Sequence, residues 1–333
     1  MSAEGAIRET VFRGVCLVLI YFTHNKLTEP KFPFFSSSRG VSNIEGGMQV
    51  LRVVYGSPDA PKQFAESLRT TGFAVITNHP IPHDLISDVF AEWANWFDGT
   101  DKFNYKFDSK TQAGYFPFKT ENAKDSKVKD LKEFFHLFLG APLPNGFSDK
   151  TRDMYDRMNG LGVELLGWLQ QNTPDDVRKL FSMPLTMMSA GSKETLLRPI
   201  HYPGLKGDEE VGAIRAAAHE DINLITLLPA ASAPGLQVKD LQGNWHEVEC
   251  NPGDIAINAG DMLQEATGGH YISTTHRVMN PTGPTAKNPR YSMPLFIHPR
   301  PEVRLSERHT AGSYLEERLR EIGLLKPGEK KFT

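Results

Sequence analysis

From residue 215 to residue 297 the chain is a succession of short apolar runs, each closed within a few positions by a turn former. Runs at 215–218, 222–228, 236–238, 245–249, 255–258, 272–279 and 291–297 are separated by Pro229, Gly235, Gly243-Asn244, Pro252-Gly253, Gly260, Gly268-Gly269 and Gly283. Each run is too short for a self-sustaining helix, and its β-branched and apolar content predicts a strand. Many such strands in close succession predict a β sandwich or barrel. Upstream the period changes: residues 60–71, 83–97 and 151–171 place apolar side chains at helical spacing. The chain is therefore expected to be mainly β, with helices flanking the β core.

At 333 residues, with 39% hydrophobic and 23% charged side chains, there is material for one large core or two modest ones. Four regions are expected: an extension over 1–47 with no assignable role, a helix-rich region over 48–190 packing on the core, the β core over 191–300, and a C-terminal helix and tail over 301–333. A net charge of −3 without any basic block argues against a nucleic-acid partner. Two cysteines, Cys16 and Cys250, are too few for a disulfide framework, so a reducing, cytoplasmic setting is the expectation. The apolar run 15–22 follows Arg8 and Arg13 but is far too short to span a bilayer. No small-x-small cleavage site follows it, which favours a docking element over a targeting leader.

Chemistry concentrates in the β core. If 216–222 is a strand, His219 and Asp221 project from one face and Glu220 from the other. A second imidazole, His276, sits in the β-branched stretch 272–278. Two histidines and one carboxylate cover one face of an octahedral ferrous ion and leave positions open for substrate-derived ligands and dioxygen. Arg290 and Ser292 repeat the i, i+2 spacing, so a guanidinium fork and a hydroxyl can grip one carboxylate. A metal triad with a carboxylate clamp is what a ferrous oxygenase with a 2-oxo acid co-substrate requires. A catalytic zinc hydrolase could use the triad but has no need of the Arg-x-Ser pair.

The residues from about 197 to 299 resemble the isopenicillin N synthase-like branch of the Fe(II)- and 2-oxoglutarate-dependent dioxygenases. The resemblance rests on His219-x-Asp221, Thr226-Leu227-Leu228, Gly235-Leu236-Gln237-Val238, Trp245, Pro252-Gly253-Asp254, Asn258-x-Gly260-Asp261, Thr267, His276-Arg277-Val278 and Arg290-x-Ser292. Thr71-Gly72-Phe73 and Asn78-His79 extend it more thinly upstream. It implies a double-stranded β-helix, or jelly-roll, core. It also implies Fe(II) on His219, Asp221 and His276, with 2-oxoglutarate held by Arg290, Ser292 and Tyr202, and O2 as oxidant. Many relatives carry asparagine where this chain has Ile200, a departure that removes one polar group near the site. The implied reaction oxidises an unactivated C–H bond of a small-molecule metabolite, amino-acid-derived or otherwise carboxylated, by hydroxylation, desaturation or ring closure, with release of succinate and CO2. The competing reading is a ring-closing oxidase of the same fold that dispenses with 2-oxoglutarate. That enzyme offers iron a glutamine near its C-terminus, and the last residues here, 329–333, contain none.

Four aromatics are candidates for lining the substrate site. Tyr115, Phe116 and Phe118 fall in a region that lies near the substrate in related enzymes; a loop stapled to the core by its aromatics is the equal alternative. Phe296 continues the alternation of Ser292 and Pro294, and a plain core phenylalanine competes. His136, His201, His246, His270 and His298 lack metal partners at useful spacing and are expected to be structural. Asn258 and Asp261 are expected to fix turns through side-chain to backbone bonds. A last amphipathic helix, over 311–322, is expected as a lid or a dimer contact.

Overall fold

Two β sheets carry the fold of this computed structural model, which describes residues 48–333 except 110, 122–127, 322, 327 and 333. The expectations for residues 1–47, and for Ile322 on the last helix, lie outside the described residues. In chain order the first elements are β1 (Leu51–Val54), α1 (Ala60–Thr71), β2 (Phe73–Thr77), α2 (His83–Asp98), β3 (Gly114–Phe116), β4 (Glu133–Phe138), α3 (Lys150–Asn172), α4 (Asp175–Arg178) and α5 (Leu185–Ser189). The second half holds β5 (Leu196–Leu197), β6 (Ile200–Tyr202), β7 (Ala216–His219), β8 (Ile225–Pro229), β9 (Leu236–Lys239), β10 (Trp245–Glu247), β11 (Ile255–Ala259), α6 (Asp261–Ala266), β12 (His276–Val278), β13 (Arg290–Ser292), β14 (Leu295–Ile297) and α7 (Ala311–Glu321).

The larger sheet has ten strands in the order β1-β2-β11-β8-β14-β5-β4-β6-β13, with β3 beside β4. The smaller has four, β10-β9-β12-β7. Apart from β1-β2, β3-β4 and β9-β10, most neighbours in space are distant in sequence, the mark of a jelly-roll winding, and all pairings of these strands except β1 with β2 are antiparallel. Residues 48–190 supply strands to this sheet as well as helices: β2 pairs with β11, and β4 with both β5 and β6.

The expected strand 291–297 is broken in two, as is the extended stretch 196–202, and proline is the reason in both. Pro199 splits 196–202 into β5 and β6, and Pro294 splits 291–297 into β13 and β14. Proline has no N–H for the ladder. The freed carbonyls are used locally, Pro294 O accepting from Arg198 N at 3.0 Å and Pro199 O from Phe135 N at 3.0 Å. The stretch 272–279 is also shorter as a strand than its composition suggests. Only His276–Val278 pairs, between β7 and β9.

Helices α1, α2 and α3 pack on strands of the large sheet, and α5 packs on α3. α1 ends at Gly72, whose φ of 72° suits a residue without Cβ, and its N–H reaches Leu68 O at 3.1 Å. α3 buries Met154, Met158, Leu161 and Leu165 against β8 and β14, as its spacing predicts, but the stripe ends on buried Leu169, and Trp168, expected on it, is half-buried. At about 1.5–3 kcal/mol per fully buried side chain, this stripe anchors the helix layer. On α2, Trp93, Trp96 and Phe97 are buried in the core rather than presented to a ligand. Among the described residues no helix is long and apolar enough to cross a membrane.

Candidate active site

His219, at the end of β7, and His276, at the start of β12, are register partners across the small sheet. Their ring centroids lie 4.4 Å apart. Each imidazole donates from Nδ1 to a backbone carbonyl two residues earlier, His219 to Ala217 O at 2.7 Å and His276 to Thr274 O at 3.1 Å. Those bonds fix the tautomer, leaving both Nε2 lone pairs free to ligate. Phe73 of β2 packs edge-on against the His276 ring at 5.4 Å and holds its tilt.

Asp221 supplies the third donor, but not from the strand. β7 stops at His219, and Asp221 lies in the irregular turn that follows, so the i, i+2 strand face is not what brings the pair together. The turn is pinned instead: Asp261 N donates to Asp221 O at 2.7 Å, and Gly260 lies so close to Asn223 that a Cβ would strike its backbone and side-chain oxygens. The buried carboxylate is divided in function. Oδ2 accepts from Asn258 Nδ2 at 2.8 Å and from Thr226 Oγ1 at 2.5 Å, while Oδ1 lies 3.9 Å from His219 Nε2 and 3.8 Å from His276 Nε2. Asn258 therefore orients a ligand side chain rather than only fixing a turn.

Among the described residues this is the one group of potential ligand atoms that converge, all within 4.8 Å of one another. Burial pushes the Asp221 pKa up, but the two imidazoles and the Asn258 and Thr226 bonds outweigh it, and the net shift is downward. Burial, with His276 beside it, pulls His219 down to about 4. An ionised carboxylate and neutral imidazole are the forms a divalent ion binds. Two nitrogens and one oxygen on one side of a common point suit a first-row divalent metal with open positions.

Arg290 and Ser292 share the inner face of β13 and are buried, whereas Tyr291 between them faces away and stacks on His201. Arg290 pairs in register with Tyr202 of β6, and its guanidinium carbon lies 5.1 Å from that ring's centroid. Its Nε donates to Ala233 O at 2.9 Å, but the buried Nη1 has no partner. An unused donor on a buried cation is what an incoming carboxylate would satisfy. His201 faces Glu133, at 2.7 Å, and is no ligand.

On the other side of the triad opens a cavity of about 430 Å3 lined by His219, Asp221 and Phe296 among others. Tyr115, Phe116 and Phe118 are not in its lining. Tyr115 is buried with its hydroxyl donating to Glu133, Phe116 stacks on Phe134, and Phe118 is 42% exposed. Tyr115 and Phe116 instead belong to β3, paired with β4 and packed inward, while Phe118 beyond the strand faces outward.

The cavity holds residues that sequence reading missed or set aside. Arg198 lies between the rings of Phe134 and Phe296, its guanidinium carbon 4.9 and 5.1 Å from their centroids. Its Nε is unpartnered and Glu121 stands 3.9 Å away, already bonded at 2.8 Å by Lys132. His136 and His298 also line it. Both are held neutral by burial, His298 at about 4, and both donate from Nδ1 to carbonyls. The available signal was the alternation through Phe296, which continues to His298 and, across the β5–β14 pair, to Leu196 and Arg198.

Residues 193–299 match the family model of the 2OG-Fe(II) oxygenase superfamily, and residues 56–158 that of the N-terminal region of the non-haem dioxygenases of morphine synthesis. Over 272 residues the chain is 32% identical to the proline hydroxylase buaE of Petromyces alliaceus, covering 71% of this chain and 80% of that one. A protein from Shewanella oneidensis described as an oxygenase superposes with a TM-score of 0.75 at 48% identity, covering 83% of this chain and 100% of that one. A full-length Neurospora crassa protein, solved in complex with alpha-KG, shares the fold with a TM-score of 0.69 at 23% identity, covering 84% of this chain and 98% of that one. With the triad in place and these likenesses over most of its length, the chain belongs to the 2OG-Fe(II) oxygenase superfamily, enzymes that use ferrous iron, 2-oxoglutarate and dioxygen.

Proposed function

We propose that His219, Asp221 and His276 hold the ferrous ion, that Arg290 and Ser292 with Tyr202 receive the far carboxylate of 2-oxoglutarate, and that the cavity beside the triad receives the molecule to be oxidised. When bound, iron, 2-oxoglutarate and dioxygen supply oxidation of a C–H bond, with release of succinate and CO2. The protein's part is positioning and exclusion of side reactions. Asn258 and Thr226 keep one carboxylate oxygen of Asp221 turned toward the imidazoles, and the backbone carbonyls of Ala217 and Thr274 keep the imidazoles' lone pairs aimed at it. The observation that carries this reading is the convergence of three ligand atoms from β7, the turn after it and β12.

Within the superfamily we place the chain in the isopenicillin N synthase-like branch, on the Asn258-x-Gly260-Asp261 and Arg290-x-Ser292 spacings. A ring-closing oxidase without 2-oxoglutarate is disfavoured because several relatives are described as 2-oxoglutarate enzymes, among them oxidoreductases from Emericella nidulans and Aspergillus fumigatus. The substrate is a small metabolite, and Arg198 with its free Nε is the receptor for a carboxylate or carbonyl on it. An amino-acid-derived compound suits that receptor, and the relative buaE is named a proline hydroxylase.

The test is ferrous-dependent conversion of 2-oxoglutarate to succinate, measured with and without candidate metabolites. Arg290→Ala should raise the 2-oxoglutarate requirement at least about tenfold, the loss of one charge-assisted pair. An unchanged co-substrate dependence would rule the clamp out.

A further inference from the structure

Arg215, immediately before β7, is 1% exposed and is one of the largest fully buried side chains, together with Arg290. Its Nη2 donates to Asn288 O at 3.0 Å, while Nε and Nη1 are buried without any partner. Its guanidinium carbon lies 6.0 Å from the centroid of the Tyr202 ring, the same ring that Arg290 faces at 5.1 Å. Two guanidiniums thus converge on one tyrosine, one from β13 and one from the bend before β7. Among the described residues neither forms an ion pair within 4.0 Å.

Buried like charges without a counter-ion are costly, and folds retain them where an anion completes the site. Burial first, then Arg290 beside it, pulls Arg215 down to about 10, which leaves it charged at neutral pH. The pair also lies along the metal-binding strands. Tyr202, Ala216 and Val278 pack in one cluster, Ala216 being three residues before His219 and Val278 two residues after His276.

We propose that Arg215 is a second guanidinium of the co-substrate clamp, so that the far carboxylate of 2-oxoglutarate is received between Arg215 and Arg290 beside Tyr202. The inference rests on the reading of Arg290 as that carboxylate's partner. It adds that the clamp carries two positive charges, which favours a 2-oxo dicarboxylate over a 2-oxo monocarboxylate more steeply than one arginine does. A merely structural Arg215 would tie the loop carrying Asn288 to β7 and would not distinguish between the two.

The experiment is anaerobic titration of the Fe(II)-loaded protein, followed by its metal-to-ligand charge-transfer absorption. The titrants are 2-oxoglutarate and 2-oxobutyrate, which has the same chelating end but no far carboxylate. Arg215→Gln should weaken 2-oxoglutarate by about 10- to 100-fold, the range for a charge-assisted bond, and leave 2-oxobutyrate at its wild-type affinity. Arg215→Lys, which keeps the charge with fewer donors, should lose less, again for 2-oxoglutarate alone; it carries the test if the glutamine variant does not fold. Equal weakening of both titrants, or of neither, overturns the role of Arg215. Arg290→Gln serves as the reference. If it too fails to separate the two acids, the reading of the clamp itself falls, whereas separation by Arg290→Gln alone rejects only Arg215.

Discussion

Asn258→Ala is the substitution that most directly probes how the fold prepares a metal ligand. The Asn258 amide and the Thr226 hydroxyl both donate to Asp221 Oδ2, at 2.8 and 2.5 Å, and leave Oδ1 facing the imidazoles. A hydrogen bond to a charged group contributes about 1.5–3 kcal/mol. Removing one of the two frees the carboxylate to turn and leaves a buried oxygen short of a donor. Outer partners of metal ligands typically change metal affinity by about 10- to 100-fold, and the loss here should fall in that range. Titration of the apoprotein with Fe(II) under argon, or with Mn(II) followed by its magnetic resonance signal, measures it directly. Thr226→Val should act in the same direction, and the double variant should lose more than the sum, because the second removal strips Oδ2 of its last side-chain donor. Wild-type metal affinity in Asn258→Ala, with only a lowered melting temperature, would refute the reasoning and reduce Asn258 to a packing role.

Three further outcomes are expected. Lys132 is buried and bonded to Glu121 at 2.8 Å and Asp130 at 2.9 Å; Lys132→Met strands two carboxylates and should cost about 3–5 kcal/mol in chemical denaturation, and a loss under about 1 kcal/mol would contradict the buried-network account. His298, held at about 4 by burial and by nearby Lys331, takes up a proton more readily unfolded, where the ordinary value is 6.5. Its contribution to stability is therefore complete above 6.5 and falls as pH drops from there toward 4, by up to about 1.4 kcal/mol per pH unit. His298→Asn should flatten that part of the stability–pH profile, and an unaltered slope would show that the imidazole is not held neutral. Gly260→Ala drives a methyl into Asn223 on the Asp221 turn, so it should weaken metal binding as well as stability; intact binding would mean the turn shifts without carrying Asp221.

Much of this site was legible in local sequence. Turn formers marked most of the strand ends, the stripe on α3 foretold its buried face, and His219, Asp221 and His276 come together as expected. The manner of their meeting was less legible. Asp221 arrives on a turn because its carboxylate is held by β8 and β11, and no periodicity within 216–222 encodes bonds to Thr226 and Asn258. The aromatics at 115, 116 and 118 looked like a substrate wall because such a cluster has the same composition whether it faces a cavity or a core. Here Glu133 and Phe134 of β4 hold Tyr115 and Phe116 in the packed interior.

What the amino-acid order determined alone was chemistry carried by neighbours in the chain: which stretches extend, where they stop, and which residue types could ligate a metal or grip a carboxylate. Such information is local because backbone period and side-chain type are local. The winding of the sheets decided the rest. Arg198 meets Phe296 because β5 lies beside β14, and Arg215 meets Arg290 across Tyr202 because β13 pairs with β6 close to the start of β7. In a sheet whose spatial neighbours lie far apart in the chain, no single stretch of residues contains these encounters.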